Sequence, residues 1–510
     1  MTRMFGSELF NNALWWVITL VIIDLTIRIL AVIVIPRNRK PTSGMAWLLA
    51  IFLLPYIGIF FFLLIGSPKL PRKRRELQDE VNAFMRAVSA EERRTQDLSG
   101  NPAWFNSLAE MNTNYGGLPL LHGSSGRLLE DYDNTIKVMA DAVDKATDYV
   151  HVQFYILSLD DSTAVFFDAL DRAVQRGVRV NVMLDHWASR TKKFHKETKA
   201  RLDDMGATWT FMLPLLPLEG KFQRPDLRNH RKILIVDGRT GYMGSLNMID
   251  RTYNVPKNIK RGLKWQELVV ELRGPGVAAL DAVFISDWYS ETGVVLTDGV
   301  RRAEKVAQGE SLSGLGASLI DHSEDVGTML TQVVPSGPGF ERENNLRLFL
   351  GMIHAAQQRV VITSPYFVPD EALMYAITSA VARGVPVDLF VSEIGDQALV
   401  YHAQRSYYEE LLRAGVRIYL YPAPYILHSK HFTIDDDVAL IGSSNMDMRS
   451  FSLNMEVSML VRDVDFVHQM RVVEDHYRDI SRLLTLEEWL KQPLRSTVLD
   501  NLARLTSALQ

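Results

Sequence analysis

Two segments of the chain carry the same polar side chains at the same spacing. The later one, LHSKHFTIDDDVALIGSSNMDMRSFSLNME, runs from Leu427 to Glu456 and opens with His428 and Lys430. Residues two apart in a β-strand face the same side, so this imidazole and this ammonium group can contact one ligand. With small hydrogen-bond donors and a carboxylate downstream, the segment carries the groups that phosphoryl transfer requires.

The earlier segment, RNHRKILIVDGRTGYMGSLNM, repeats this pattern with each matching residue 198 positions before its counterpart. The first set is His230, Lys232, Asp237, Gly244, Ser245 and Asn247, and the second is His428, Lys430, Asp435, Gly442, Ser443 and Asn445. A single His-x-Lys pair is usually a solvated strand edge. Because six positions recur at one offset, the duplication favours a functional site with two halves.

Both segments resemble the H-x-K-x4-D-x6-G-S-x-N signature of the phospholipase D superfamily, and the whole chain resembles bacterial cardiolipin synthases. The resemblance extends to PTSGMAWLLAIFLLPYIG near the N-terminus. It implies an α/β fold of two repeated phospholipase D-type lobes, each a β-sheet flanked by helices, related by a pseudo-two-fold axis and preceded by two transmembrane helices. The signature alone does not separate lipases, nucleases and synthases.

Alternating strands and helices precede each motif. YVHVQFYIL, DSTAVFFDALDRAVQRG and VRVNVMLD are predicted as strand, helix and strand, and VVITSPYFV, a helix ending at Gly384 and VPVDLFVSE repeat that order. We expect the first lobe at residues 117–295 and the second at 331–510. A Gly-, Ser- and charge-rich linker at 296–330 would join them.

Two apolar runs near the N-terminus are long enough to cross a hydrocarbon core about 30 Å thick. Leu14 to Ile35 has 22 residues, and Ala46 to Ile65 has 20 without a charge. We expect two transmembrane helices in a membrane region at residues 1–68. A signal peptide is the alternative for the first run, but Arg3 is its only basic leader residue and a second run follows.

Two opposite charges interrupt the first run, and two helix-breaking residues interrupt the second. Asp24 and Arg28 lie four apart, so they can form an ion pair on one helix face. Contact with a lipid headgroup is the alternative role for these two charges. Pro55 and Gly58 predict a kink in the second run.

Basic residues flank the second run on both sides. Those after it are Lys69, Arg72, Lys73, Arg74 and Arg75, and those before it are Arg37, Arg39 and Lys40. Five basic residues after the second run, against three before it, favour a cytoplasmic location for both termini. We therefore expect a multi-pass protein of the bacterial inner membrane with a cytoplasmic catalytic region, as the resemblance also implies.

Residues 69–116 are predicted to be a basic juxtamembrane and amphipathic linker. Its apolar residues at helical spacing are Leu77, Val81, Phe84, Met85 and Val88. This helix either packs against the catalytic body or lies on anionic lipid beside the basic cluster.

The amino-acid composition limits the kinds of partner and of binding site that the protein can have. A chain of 510 residues with 47% hydrophobic residues can bury the cores of several domains. The net charge of −4 disfavours non-specific nucleic-acid binding, so we expect no nucleic-acid partner. The absence of cysteine excludes disulfides and thiolate ligands. The oligomeric state stays open, with a homo-oligomer as one alternative.

The first lobe carries extra residues before its motif. From Gly206 to His230 there are 24 positions, against 13 from Gly415 to His428. The excess includes FMLPLLPLEG, which is either a lid packed on the lobe or a surface for acyl chains.

Transfer between phosphodiesters needs a nucleophile, an acid for the leaving alkoxide, and positive charge around the phosphoryl oxygens. His230 and His428 can divide the first two tasks. The charge and the supporting hydrogen bonds would come from Lys232, Lys430, Ser245, Asn247, Ser443 and Asn445. This scheme requires no metal and no cofactor.

Each imidazole also needs a partner that fixes its tautomer. The resemblance implies a downstream acid in each lobe, here Glu267 and Glu456. Glu456 lies in SLNME, 28 residues after His428, whereas Glu267 lies in WQEL, 37 residues after His230.

Asp237 and Asp435 complete the catalytic signature that the family implies. Their strand parity is opposite to that of the His-Lys face. From the residues themselves we therefore expect them to form structural ion pairs.

The resemblance implies a membrane-bound phosphatidyltransferase that makes cardiolipin from two phosphatidylglycerol molecules, with release of glycerol through a phosphatidyl-histidine. Its partners would be phosphatidylglycerol, cardiolipin and anionic membrane lipids. It also implies that His230 is the nucleophile and His428 the acid and base, although both motifs offer the same residues. A phospholipase D that releases phosphatidic acid is the alternative. A non-enzymatic lipid-binding scaffold is disfavoured because neither motif has lost its His or Lys.

Overall fold

The structure is a computed structural model that describes residues 2–37, 39, 41–66, 76–81, 83, 100–216, 221–296, 326–340 and 343–507. It contains two compact units, an N-terminal unit and a C-terminal unit. The N-terminal unit is Met1–Leu70 with Arg224–Asp226, and the C-terminal unit is Pro71–Gln223 with Leu227–Gln510.

The N-terminal unit is helical. Its helices are α1 (Thr2–Val34), α2 (Pro41–Leu53) and α3 (Pro55–Ile65). Within α1, Trp15–Val34 is long and apolar enough to cross a membrane, which agrees with the first predicted span. The predicted ion pair is also present, since Arg28 Nε lies 2.8 Å from Asp24 Oδ2.

The second predicted membrane span is not confirmed. Leu54 leaves the helical conformation, with φ −135° and ψ 74°, and Pro55 begins a new helix. The kink predicted at Pro55 is therefore a complete break. The two resulting helices have 13 and 11 residues, and each is shorter than the roughly 20 residues that a crossing requires.

The C-terminal unit begins with residues 76–81, which are helical, and then α4 (Ala103–Asn114). Val81 is 2% exposed within the core, and the Tyr289 hydroxyl donates to Glu80 Oε2 at 2.6 Å. The described part of the predicted amphipathic helix thus packs against the body of this unit. Phe84, Met85 and Val88 lie outside the described residues.

The first lobe alternates strands and helices. It comprises β1 (Leu121–Leu129), α5 (Tyr132–Asp144), β2 (Tyr149–Phe154), α6 (Ala164–Gln175), β3 (Arg179–Asp185), α7 (His186–Arg190), α8 (His195–Met205), β4 (Thr208–Met212), β5 (Leu215–Leu216), β6 (Lys221–Phe222), β7 (Arg228–Asn229), β8 (Lys232–Val236), β9 (Thr240–Gly244), α9 (Pro256–Arg261), β10 (Lys264–Gln266), β11 (Val269–Arg273) and α10 (Pro275–Thr292).

The second lobe repeats this order. It comprises β12 (Met329–Ser336), α11 (Asn344–Ala355), β13 (Val360–Thr363), β14 (Phe367–Val368), α12 (Glu371–Ala382), β15 (Val387–Ser392), α13 (Ala398–Arg405), α14 (Tyr408–Ala414), β16 (Arg417–Tyr421), β17 (Tyr425–Leu427), β18 (His431–Ile434), β19 (Val438–Gly442), β20 (Met446–Asp447), α15 (Met448–Ser452), β21 (Asn454–Arg462), α16 (Val464–Ile480), β22 (Arg482–Leu484), α17 (Leu486–Leu490) and α18 (Leu494–Arg504). Most of the predicted linker at 296–330 lies outside the described residues.

One sheet of 16 strands runs through both lobes. Fifteen of them follow the order β22-β16-β15-β13-β18-β19-β21-β12-β1-β11-β9-β8-β2-β3-β4, and β7 pairs with β21 off this path. Outward from the central antiparallel pair of β1 and β12, the two halves show corresponding strands in the same sequence. This is the arrangement expected of a duplicated α/β lobe with a pseudo-two-fold relation.

Three apolar cores cover the two faces of the sheet. Helices α10 and α16 share one core on one side of both lobes, and each lobe has its own core on the other side. Within the predicted strands YVHVQFYIL and VRVNVMLD, the structure forms strands over YVHVQF and RVNVMLD. They are buried almost throughout, as runs rich in Val and Leu require when helices cover both faces. The α/β prediction is confirmed.

The extra segment of the first lobe is partly packed. Met212 and Leu213 are buried, and the Leu215 N–H donates to His186 Nδ1 at 3.0 Å. Residues 217–220 lie outside the described residues. The described part therefore supports the lid interpretation over a fully exposed acyl surface.

Candidate active site

His230 and His428 come from different lobes and line the same cleft. The cleft has a volume of about 550 Å³ and takes its walls from both halves of the sheet. This volume is typical of small-molecule sites. The two side chains are largely buried, with 9% of His230 and 4% of His428 exposed.

Short strands tie each histidine to the opposite lobe. β7 pairs with β21 of the second lobe, and the His230 N–H donates to Met455 O at 2.8 Å. β17 pairs with β10 of the first lobe, and the His428 N–H donates to Gln266 O at 2.7 Å. Met455 and Gln266 directly precede the two predicted acids, so this backbone pairing brings each histidine to an acid of the other lobe.

The two acids predicted from the sequence are those in the site, but they pair across the lobes. His230 Nδ1 lies 3.0 Å from Glu456 Oε2, and His428 Nδ1 lies 2.8 Å from Glu267 Oε2. The sequence separation between each histidine and the acid of its own lobe was therefore a wrong guide to which acid contacts which histidine. The unequal distances of 37 and 28 residues have no bearing on the geometry.

These contacts define which ring nitrogen reacts. A carboxylate accepts a hydrogen bond from the protonated Nδ1. Nε2 of each histidine is therefore available to react in the cleft. Burial lowers the pKa of His230, and it lowers that of His428 to about 4. Burial alone would raise the pKa of Glu267 and Glu456, but the facing imidazoles bring both below their usual range. Both carboxylates are therefore ionised beside neutral imidazoles.

The motif lysines lie behind the histidines. Lys232 Nζ donates to His230 O and Lys430 Nζ donates to His428 O, each at 2.5 Å. Burial lowers the pKa of Lys232 to about 7 and that of Lys430 to about 8. Tyr155 lies with its ring 5.3 Å from Lys232 Nζ. These ammonium groups are poorly solvated, so an anion in the cleft would stabilise their charged form.

The motif asparagines and serines take different positions. Asn247 and Asn445 line the cleft. Ser443 Oγ donates to Glu456 Oε2 at 2.5 Å, and Ser245 Oγ accepts the Leu268 N–H at 2.9 Å. The asparagines can therefore contact a phosphoryl group, whereas the serines support the acids and their strands.

Asp237 and Asp435, which complete the catalytic signature that the family implies, do not line the cleft. Asp237 accepts the backbone N–H groups of Thr147, Asp148 and Tyr149 at 2.8 to 2.9 Å. Asp435 accepts those of residues 357–359 at 2.7 to 3.1 Å. Each aspartate lies in a turn between two strands and binds the helix-to-strand connection of its own lobe. Their predicted structural role is right, but backbone amides take the place of the expected ion pairs.

Residues outside the His-Lys-Asn signature complete the site. Tyr155 packs edge-on against His230, with ring centroids 4.8 Å apart, and Tyr366 lies 6.3 Å from His428. Tyr253 accepts a hydrogen bond from Asn247 Nδ2 at 2.8 Å. Tyr155 and Tyr366 lie within the predicted strands YVHVQFYIL and VVITSPYFV, near their C-terminal ends, and that position was the available signal for them.

The described residues contain no group of three or more His, Asp or Glu side chains that could hold a metal ion. The two histidines of the cleft instead form imidazole–carboxylate pairs with Glu456 and Glu267. These pairs suit proton transfer and nucleophilic attack at one phosphorus atom.

Comparisons with known proteins agree with this geometry. A family model described as cardiolipin synthase, PLD-like domain, matches residues 139–288 and 349–476, and one described as phospholipase D-nuclease N-terminal matches residues 26–67. The chain is 31% identical to cardiolipin synthase A of Wigglesworthia glossinidia brevipalpis over 95% of this chain and 93% of that one. It is 30% identical to a cardiolipin synthase of Halalkalibacterium halodurans, with 96% and 93% covered.

A solved structure shows the same fold at low sequence identity. Phosphatidylserine synthase of Haemophilus influenzae superposes with a TM-score of 0.58 at 15% identity, covering 79% of this chain and 100% of that one. Full-length similarity, the duplicated motif and the shared fold lead to one assignment. The chain is an enzyme of the phospholipase D superfamily and belongs to its bacterial cardiolipin synthase family.

Proposed function

We propose that the protein is a phosphatidyltransferase that converts two phosphatidylglycerol molecules into cardiolipin and glycerol. The observation that carries this proposal is the meeting of His230 and His428 in one cleft, each with Nδ1 held by a carboxylate. One imidazole can then attack phosphorus while the other moves the proton. The names of the full-length relatives support cardiolipin as the product.

In the first half-reaction, His230 Nε2 attacks the phosphorus of phosphatidylglycerol. The bond from phosphorus to the headgroup glycerol oxygen breaks, and the protonated His428 gives its Nε2 proton to that oxygen. Glycerol leaves, and the phosphatidyl group stays on His230. Glu456 stabilises the positive charge that the substituted imidazole acquires.

In the second half-reaction, His428 is a base. Its Nε2 takes the proton from a headgroup hydroxyl of a second phosphatidylglycerol, and that oxygen attacks the phosphorus. The bond between phosphorus and His230 breaks, and its electron pair returns to Nε2. The products are cardiolipin and the starting form of His230, with His428 protonated for the next cycle.

The protonation states require the substrate. Without a ligand, burial keeps His428 neutral at pH 7. The phosphodiester anion would oppose this effect by stabilising an imidazolium beside it. Lys232 and Lys430 would gain charge for the same reason and offset the negative charge of the transition state.

Differences between the carboxylates favour this assignment of the histidines. Both oxygens of Glu267 lie close to His428 Nδ1, at 2.9 and 2.8 Å. The Tyr253 hydroxyl donates to the same carboxylate over a longer distance of 3.3 Å, so Glu267 directs its charge mainly at His428, as an acid and base requires. Glu456 shares its oxygens among several donors besides His230, which suits a ring that stays neutral before attack.

We place the enzyme at the bacterial inner membrane, with its catalytic body in the cytoplasm. The apolar helix α1 supports membrane anchoring. The cluster of positive charge after residue 68 supports the cytoplasmic side.

Lipid products distinguish the proposal from hydrolysis. Purified enzyme given vesicles of phosphatidylglycerol alone should form cardiolipin and free glycerol in equal amounts, and His230→Ala should form neither. Phosphatidic acid without cardiolipin would show a phospholipase D instead.

A further inference from the structure

Residues 41–65 fold back on themselves. The ring of Trp47 meets that of Phe62 edge-on, with centroids 5.5 Å apart. In one continuous helix these two residues would be separated by about 22 Å along the axis. A Cβ added at Gly58 would lie 2.8 to 2.9 Å from the backbone of Ala50 and Ile51, so only glycine permits this approach of α3 to α2.

The turn of this hairpin lies at the level of the middle of α1. The Arg28 guanidinium carbon is 5.5 Å from the centre of the Phe52 ring, and the Tyr56 hydroxyl donates to Leu20 O at 3.4 Å. At 1.5 Å per residue, these contacts lie about 9 and 21 Å from the end of α1 at Val34. A hydrocarbon core of about 30 Å has its centre at that depth.

The hairpin both begins and ends near the C-terminal end of α1. Arg39 follows α1 closely in sequence, and its guanidinium carbon lies 4.9 Å from the centre of the Phe62 ring. Phe62 belongs to the last turn of α3. The start and the end of the apolar segment are therefore on the same side of the N-terminal unit.

The surface of the hairpin suits the acyl chains of a single leaflet. Leu53, Leu54, Phe60 and Leu63 are 56 to 76% exposed. Backbone hydrogen bonds continue through the turn, since the Leu54 N–H donates to Ala50 O at 2.9 Å. The Gly58 N–H donates to Leu54 O at 2.6 Å, so both backbone polar groups of Leu54 are paired, as burial of the break in hydrocarbon requires.

The charge distribution agrees with an entry and exit on one face. Two crossings would place Arg37, Arg39 and Lys40 on the opposite face from the cluster that starts at Lys69. A returning hairpin places all eight basic residues on one face, and residues 1–14 hold only Arg3 and Glu8 as charges. The second arrangement obeys the positive-inside rule, and the first does not.

We propose that residues 41–65 form a re-entrant hairpin in the cytoplasmic leaflet, and that α1 is the only crossing within residues 2–66. Residues before Trp15 would then lie on the extracytoplasmic side of the membrane, and residues after Gly66 would lie on the cytoplasmic side. The partner of this surface is the acyl region of one leaflet.

The absence of cysteine allows a direct topology test in the full-length protein. Ser7→Cys, Pro36→Cys and Asp79→Cys are expressed singly, and spheroplasts are treated with a membrane-impermeant maleimide before and after permeabilisation. We expect only Ser7→Cys to react in intact spheroplasts, and all three after permeabilisation. Reaction of Pro36→Cys alone in intact spheroplasts would show two crossings and overturn the proposal.

A distance measurement tests the fold-back itself. Spin labels at Ser43→Cys and Ile65→Cys in lipid nanodiscs would be about 33 Å apart along a continuous helix. The hairpin predicts a distance far below that value. Labels near 33 Å would contradict the hairpin whatever the catalytic activity of the preparation.

Discussion

The two halves of the cleft carry the same motif but hold their carboxylates differently. Besides His230, Glu456 accepts hydrogen bonds from Ser443 Oγ at 2.5 Å, Ser450 Oγ at 2.9 Å and Asn454 Nδ2 at 3.3 Å. Its negative charge is thus divided among several donors.

Glu267 has a different surrounding in the other half-site. Both of its oxygens lie within 2.9 Å of His428 Nδ1, and the Tyr253 hydroxyl donates to Glu267 Oε1 at 3.3 Å. The two motifs thus supply the same imidazole, but the residues around the two partner acids differ. We infer that this inequality separates a nucleophile from an acid and base.

Removing the charge of either carboxylate should slow catalysis strongly. Glu456→Gln and Glu267→Gln should each lower kcat/KM by on the order of 10²- to 10⁴-fold, because the imidazole loses its orientation and charge partner. Cardiolipin formation from phosphatidylglycerol vesicles measures this effect. A variant that keeps more than half of the wild-type rate would contradict the role of that acid.

Double-mutant cycles on stability test the pairing across lobes. Glu267 combined with His428 should show a coupling of about 0.5 to 3 kcal/mol, whereas Glu456 combined with His428 should show little. Thermal unfolding in detergent measures the four variants of each cycle. Coupling of each acid to the histidine of its own lobe would refute the observed pairing.

The pH dependence follows from the buried lysines. As pH rises through about 7, Lys232 loses its proton in the free enzyme, and Lys430 follows at about 8. We expect kcat/KM to fall across this range, since neutral lysines no longer attract the phosphodiester.

Lys232→Arg should move the start of this fall to higher pH, because arginine stays protonated. Lys137→Arg, at an exposed position, is the matched control and should leave the profile in place. A wild-type profile that stays flat to pH 9.5 would show that the lysines are charged without substrate.

Much of the fold was predictable because the sequence repeats itself. Buried strands, helices ending at glycine and the duplicated motif fix the two lobes, and strand parity separates the His-Lys face from Asp237 and Asp435. The pairing of each histidine with the acid of the other lobe was not predictable from these patterns. It depends on β7 and β10, strands of two and three residues whose partners lie far away in sequence.

Other features also required the structure. Tyr253 and Ser450 follow the motif asparagines in irregular or short helical segments, where periodicity gives no direction for a side chain. Composition indicated a second membrane span, because it reports how apolar a segment is and not whether the segment turns at Leu54.

Smaller effects should sharpen the difference between the half-sites. Ser450→Ala removes a donor to a buried charge and should lower kcat/KM by about 10- to 100-fold. Tyr253→Phe removes a longer hydrogen bond and should cost about 2- to 10-fold. Tyr375→Phe, at a side chain that is 70% exposed, is the control for a lost tyrosine hydroxyl. Equal losses at Ser450 and Tyr253 would argue that the two carboxylates are held alike.

The smallest effect on catalysis is expected at the turn aspartates. Asp237→Asn weakens the acceptor for three backbone N–H groups and should lower the free energy of unfolding by about 1 to 3 kcal/mol. Its kcat should stay within about 2-fold of wild type, because Asp237 does not line the cleft. Asp204→Asn, on an exposed helix position, controls for the change of charge. A large loss of kcat with unchanged stability would support the catalytic role that the family signature implies for Asp237.

We propose that His230, in the first lobe, carries the phosphatidyl group during the reaction. Enzyme mixed with phosphatidylglycerol, quenched rapidly without acid, digested and analysed by mass spectrometry would locate the group. We expect the adduct on Nε2 of His230, its absence in His230→Ala, and its slow formation in His428→Ala. An adduct on His428 in the wild-type enzyme would contradict the assignment of the half-sites, and turnover without an adduct on either histidine would contradict the covalent route.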